Sequence, residues 1–158
     1  MKVYAVGLDA NEIFPGLWQG SFPPEGSYLA SIGFKVVVFC ADDLQPSQRR
    51  YPGLDVIYAP NDDDSSRPIT AEELRIAVNA SRAVAKAVRS NRPTLVTCKM
   101  GWNRSGLVVA LALHRLTGKS GADCLEHVQT IRHNALYNGE FQKVLLGIKP
   151  RQTSPTSR

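Results

Sequence analysis

Cys98 and Arg104 stand six residues apart, with Gly101 between them and Ser105 directly after. The segment reads Leu95-Val96-Thr97-Cys98-Lys99-Met100-Gly101-Trp102-Asn103-Arg104-Ser105-Gly106. A short apolar strand leads into it and an apolar helix follows. A loop between a strand and a helix start turns several backbone N–H groups toward one point, and the helix dipole adds positive potential there. Lys99, Met100, Gly101, Trp102, Asn103 and Arg104 would then wrap an anion. A cysteine at the base of such a loop has its thiolate stabilised by the same field. The planar fork of Arg104 matches two oxygens of a phosphate. Gly101 allows close backbone approach, and Ser105 can donate to the sulfur. A bare Cys-x5-Arg spacing is a weak signal. Gly at the third step, Ser after Arg and the flanking strand and helix make it far more specific.

The elements that would hold this loop follow from periodicity and punctuation. Lys2–Val6 reads as a short strand and Glu12–Gln19 as an extended segment broken at Pro15-Gly16. Ser27–Ile32 reads as a short helix. Lys35–Cys40 and Leu54–Ala59 are rich in β-branched residues and read as buried strands. Thr70 with Glu73 forms a capping box that opens a helix running to about Ser90. Thr94–Thr97 is a strand, and Ser105–Leu116 a buried helix closed by Gly118. Ser120 opens a helix to about His133, and Asn138 caps a last helix, Gly139–Leu146. Strands alternating with helices imply one α/β domain: a central, mostly parallel sheet of four or five strands flanked by helices. Ligands of such sheets bind at the carboxyl ends of strands, where Cys98 sits.

Composition narrows the class. The chain has 158 residues, 43% of them hydrophobic and 21% charged, which fits one compact domain over 1–149. Residues 150–158 read as a disordered basic tail. The longest apolar run, Leu107–Leu113, is too short to span a bilayer, and no signal core is visible. A soluble, cytoplasmic monomer is expected, with no membrane partner. The net charge of +5 favours anionic partners such as phosphoesters, acidic peptides or nucleic acid, or serves ordinary solubility. Cys40, Cys98 and Cys124 are odd in number and widely spaced, which suggests neither a disulfide framework nor a zinc site. No metal or cofactor is implied.

The loop resembles the signature of the protein tyrosine phosphatases, especially the small dual-specificity phosphatases. The resemblance extends along most of the chain. Glu12-Ile13-Phe14-Pro15-Gly16-Leu17-Trp18-Gln19-Gly20-Ser21 is similar to that family's opening segment, and Ala135-Leu136-Tyr137-Asn138-Gly139-Glu140-Phe141 to its closing helix. It implies hydrolysis of phosphotyrosine, with phosphoserine and phosphothreonine as further substrates, through a phosphocysteine intermediate. Cys98 would be the nucleophile, Arg104 the phosphate binder, and Ser105 the group that assists thiolate departure.

The family also places an aspartic general acid on the loop after the second buried strand. Here that loop reads Pro60-Asn61-Asp62-Asp63-Asp64. Counting forward from the strand selects Asp62, and the Asn61-Asp62 step resembles family members. Counting back from Ile69 selects Asp63 as the alternative acid. Read alone, three adjacent aspartates are most often a solvated turn, and the spacing is not that of a calcium loop. One residue departs from the family: Thr97 stands where His usually precedes the cysteine. The resemblance then implies activity that is lower or shifted to higher pH, with the threonine hydroxyl a partial substitute. Two other functions fit the same residues. Gly101-x-Asn103-Arg104-Ser105-Gly106 resembles the loop of RNA 5′-triphosphatases of this superfamily, and a phosphate-binding module without turnover would keep the cradle alone.

Overall fold

The computed structural model describes residues 2–5 and 7–151. Five strands form one sheet: β1 (Ala10–Phe14), β2 (Leu17–Gly20), β3 (Val36–Ala41), β4 (Asp55–Asn61) and β5 (Thr94–Thr97). The order across the sheet is β1-β2-β5-β3-β4. Only β1 and β2 are antiparallel; β2–β5, β5–β3 and β3–β4 are all parallel. The break at Pro15-Gly16 is the turn of the β1–β2 hairpin, with Gly16 in the left-handed region at φ +83°.

Alternation along the central strands feeds two cores. Val36, Val38, Cys40, Val96 and Cys98 face one side, while Val37, Phe39 and Leu95 face the other. The first side is covered by α2 (Ala71–Arg89), α3 (Arg104–Thr117), α4 (Gly121–Ile131) and α5 (Gly139–Leu146). The second is covered by α1 (Tyr28–Ser31), by the 3-10 turn Gln48–Arg50, and by Phe22, Phe34 and Tyr51. All six residues of β3 and all four of β5 are buried, as befits parallel strands sandwiched between layers. Each large side chain so buried contributes on the order of 2 kcal/mol.

The helices begin and end where their caps dictate. Thr70 and Glu73 form both halves of the capping box at α2. Ser120 caps α4 through the Asp123 N–H, and Asn138 caps α5 through Glu140 and Phe141. Gly118 ends α3 in the left-handed conformation. The strand expected at Lys2–Val6 does not form: residues 2–5 lie outside the sheet, and Val6 falls outside the described residues. The Tyr4 N–H instead donates to the Ile32 carbonyl just after α1. Of the tail, residues 152–158 also lie outside the described residues. Among the described residues no helix is long and apolar enough to cross a membrane.

Two glycines let the loop after β5 lie against β2. A Cβ built on Gly101 would meet the Gly20 carbonyl carbon and oxygen and the Ser21 nitrogen at 2.3, 2.4 and 2.5 Å. Its φ of +72° disfavours any other residue as well. Gly101→Ala is therefore expected to cost about 2–4 kcal/mol, read as a lowered midpoint of urea unfolding. An unchanged midpoint would show that the loop is not seated on β2.

Candidate active site

β5 ends at Thr97, and α3 starts at Arg104. Between them, five consecutive carbonyls all find partners outside the loop. Lys99 accepts from the Phe22 N–H at 3.2 Å. Met100 accepts from Arg132 Nη2 at 3.0 Å, and Gly101 from Arg132 Nε at 2.7 Å and Gln19 Nε2 at 3.0 Å. Trp102 accepts from the Leu136 N–H at 2.9 Å, and Asn103 from the Leu107 N–H at 2.9 Å. In a trans peptide the C=O and the following N–H point opposite ways. Five outward carbonyls therefore turn five N–H groups, Met100 through Arg104, to the other side. Among the described residues no protein acceptor takes a hydrogen bond from these N–H groups. α3 also lacks a side-chain cap, because the Asn103 amide is engaged elsewhere. Free N–H donors and an uncapped helix start make an anion site.

Cys98 opens this concavity and is 4% exposed. Its Sγ lies 3.3 Å from Ser105 Oγ. Cys40, on the neighbouring strand β3, is fully buried. Burial holds the Cys40 thiol well above its usual range, the charge of Cys98 adds to this, and Arg104 offsets it in part. Arg104 is 9% exposed. Its Nη1 donates weakly to Asp42, Asp43 and the Asn61 carbonyl at 3.3, 3.4 and 3.4 Å. Its buried Nε has no partner among the described residues. A buried guanidinium with long contacts and an orphan donor is under-satisfied, and an oxyanion would complete it.

The three aspartates separate by geometry. Asp62 is exposed, with Arg67 Nη2 3.5 Å away. Asp63 accepts at both oxygens: from Asn138 Nδ2 at 2.8 Å and from Asn103 Nδ2 at 3.0 Å. The Asn138 N–H donates to Asn103 Oδ1 at 2.9 Å, closing a ring. Asp64 accepts from the Ser66 N–H and hydroxyl at 2.8 and 2.6 Å, which hold its carboxyl below the usual range. Asp64 is thus the solvated turn foreseen for the whole run, while Asp63 ties the loop after β4 to the loop after β5 and to α5.

The other expected site residues fall into place as follows. The Lys99 and Met100 side chains are exposed, so only their backbone serves the cradle. Trp102 is half-buried, edge-on to Tyr137 with centroids 5.9 Å apart. The Asn103 amide faces Asp63 and Asn138 rather than the concavity. Thr97 is fully buried on the sheet face opposite Cys98, and its hydroxyl donates to the Val38 carbonyl at 2.7 Å. That hydrogen bond ties the end of β5 to β3. His114 is satisfied by the Lys119 carbonyl at 2.6 Å. Among the described residues no three His, Cys, Asp or Glu side chains are grouped to hold a metal ion.

Sequence reading assigned no role to Gln19, Arg132, Asp42 or Asp43. Arg132 is buried, and all five of its N–H donors are used, on Gly101, Met100, Asp9 and Asn11. Its hydrogen bonds hold the Asp9 carboxyl below the usual range. These residues lie far along the chain from the loop and carry no local motif. Only the general expectation that loop carbonyls need donors could have sought them.

No family model matches the chain, and no curated sequence does. Solved structures do. Human DUSP28 is 26% identical, with 89% of this chain and 92% of that chain covered and a TM-score of 0.70. A mouse putative dual specificity phosphatase, complexed with zinc tungstate, is 24% identical over 92% and 91%, with a TM-score of 0.68. PTPMT1, in complex with PI(5)P, shares the fold at a TM-score of 0.74, with 16% identity over 87% and 92%. Sheet order and near full-length similarity agree in giving the chain a fold like that of the dual-specificity phosphatases among the cysteine-based protein tyrosine phosphatases.

Proposed function

We propose that the chain hydrolyses phosphate monoesters of proteins, phosphotyrosine first and phosphoserine or phosphothreonine also, through a phosphocysteine on Cys98. The observation that carries this reading is the cradle: five free N–H groups, an under-satisfied Arg104 and the Cys98 sulfur converge at one strand-to-helix turn. The N–H groups and the Arg104 fork bind the three non-bridging oxygens and stabilise the charge that builds on them. Cys98 Sγ forms the S–P bond as the bridging P–O bond breaks, and the leaving oxygen takes a proton from a carboxylic acid. Water then attacks phosphorus, giving a proton to the carboxylate that the first step left ionised, as the S–P bond breaks and the thiolate leaves. The Ser105 hydroxyl, 3.3 Å away, donates to it as its negative charge returns.

Asp62 suits the proton donor. It is exposed beside Arg67, whereas both Asp63 oxygens already accept hydrogen bonds. Glu73, whose carboxyl is lowered to about 2 chiefly by its hydrogen bond from Arg67, holds that arginine at 2.7 Å. Arg67 is thus committed to Glu73 more than to Asp62.

A protein substrate is favoured over a polyanion. Asp42 and Asp43 stand exposed beside Arg104, and Asp62 is exposed on the loop that follows Asn61; together they would repel a triphosphate or a highly charged lipid head. The RNA reading gains nothing from Asn103, whose amide is turned to Asp63 and Asn138. Parallel assays with phosphopeptides, phosphoinositides and 5′-triphosphorylated RNA test this choice; the greatest kcat/KM on RNA or lipid would overturn it.

Cys98→Ser is expected to abolish turnover while tungstate or vanadate still binds; turnover near the wild-type level would remove the phosphocysteine route. Arg104→Lys should lose about 100-fold or more in kcat/KM, and an unchanged value would show that the fork is not used.

The two aspartates should separate by leaving group. Asp62→Asn should slow a phosphotyrosine peptide by about 100-fold, and an aryl phosphate with a strongly acidic phenol far less. Asp63→Asn forces two amide donors together and leaves one unmatched. It should cost about 1–2 kcal/mol of stability and slow both substrates alike. A leaving-group-dependent loss in Asp63→Asn alone would move the acid to that residue.

A further inference from the structure

Gln19 is a fully buried amide in a strand otherwise lined by the core. It sits in register with Val96 on β5, two positions before Cys98. Its Nε2 donates to the Gly101 carbonyl at 3.0 Å and lies 3.4 Å from both the Trp102 carbonyl and Ser105 Oγ. Its own Oε1 is buried with no partner among the described residues. A buried amide oxygen left unpaired is a net cost to folding. Leucine, close in size, would fill the same space without that cost. The amide therefore stands where the fold alone would favour a hydrocarbon.

We infer that Gln19 is a positioning residue: it holds the Gly101 peptide with its carbonyl outward and fixes the direction in which the Ser105 hydroxyl donates. Ser105 Oγ has one proton and two lone pairs. When Cys98 is a thiolate, only that hydroxyl proton can bridge the 3.3 Å to sulfur. A donor approaching Oγ from Gln19 occupies a lone pair and turns the proton away from itself, toward Cys98. The same amide group, bonded to Gly101, keeps the Trp102 N–H facing the concavity. The orientation of the amide is set by the carbonyls around it, since a flipped Gln19 would bring its oxygen against that of Gly101. Gln19 touches no substrate, and it serves Cys98 through Ser105 and through the loop.

This inference rests on the phosphatase reading only for its kinetic arm. Gln19→Leu, with Gln19→Met as a second variant of similar volume, removes the donor and the orphan oxygen together. The thermal midpoint should stay level or rise. The rate of Cys98 alkylation by iodoacetamide at pH 6.5, read by mass spectrometry on the Cys98 peptide, should fall by about three- to tenfold, because the thiolate loses a hydrogen bond. Turnover of a phosphotyrosine peptide should fall by about tenfold or more in kcat with little change in KM. In a Ser105→Ala background the loss from Gln19→Leu should shrink, showing coupling between the two.

A Gln19→Leu or Gln19→Met protein that alkylates at the wild-type rate overturns the inference, as does one whose losses track a lowered thermal midpoint. Should the wild type turn over no phosphoester while Gln19→Leu still slows alkylation, the phosphatase reading falls and the role of Gln19 stands. Should the wild type turn over and Gln19→Leu match it in both measurements, Gln19 alone is removed.

Discussion

The site depends on where five peptide planes point. From Lys99 to Trp102 each carbonyl is drawn outward by a donor from another part of the chain: Phe22 after β2, Gln19 within it, Arg132 after α4 and Leu136 before α5; the Asn103 carbonyl takes the first helical bond of α3, from Leu107. A peptide cannot turn its oxygen out without turning the next N–H in. The cradle is thus the inner face of an outer hydrogen-bond shell, and the shell recruits nearly every layer of the domain. Glycine at 101 is needed for the same reason, since only a residue without Cβ fits between these planes and β2.

Charge is arranged around this cradle with similar economy. Arg132, buried and cationic, spends every donor, partly on Asp9 and partly on the loop. Arg104 is also buried but only loosely held, with one donor unmatched. Two arginines in similar burial thus have opposite states: one saturated, one with a donor to spare. A fully paired Arg104 would have to break strong bonds before taking a phosphate, and that cost would be subtracted from binding.

Much of the framework was legible because its signals are local. The Thr70–Glu73 box, the Gly118 stop and the caps at Ser120 and Asn138 each lie within a few residues of what they specify. The β-branched runs of β3 and β5 are bounded within a residue or two. The Cys98–Arg104 loop was legible because its motif is condensed in one short segment. Local propensity failed at Lys2–Val6, where the first described residues dock beside α1 rather than pair. It also ran out among the three aspartates, which are alike in sequence and differ only in what comes close: Arg67 by Asp62, two asparagines by Asp63, Ser66 by Asp64. Gln19 carries no mark at all, since its partners are more than eighty positions away.

The sheet order has a consequence for how the molecule comes to be folded. β1 and β2 form a hairpin, and β3 and β4 form a parallel pair, yet no ladder joins β2 to β3. β5 is the last strand in the chain, and it lies between them. Until it inserts, the two halves are separate ribbons with unpaired inner edges. Such insertion closes two long loops at once and is a slow, high-contact-order event. The strand that leads into Cys98 is therefore the keystone of assembly. A chain caught short of completion would lack its cradle, so Cys98 gains its environment only when the whole sheet has closed.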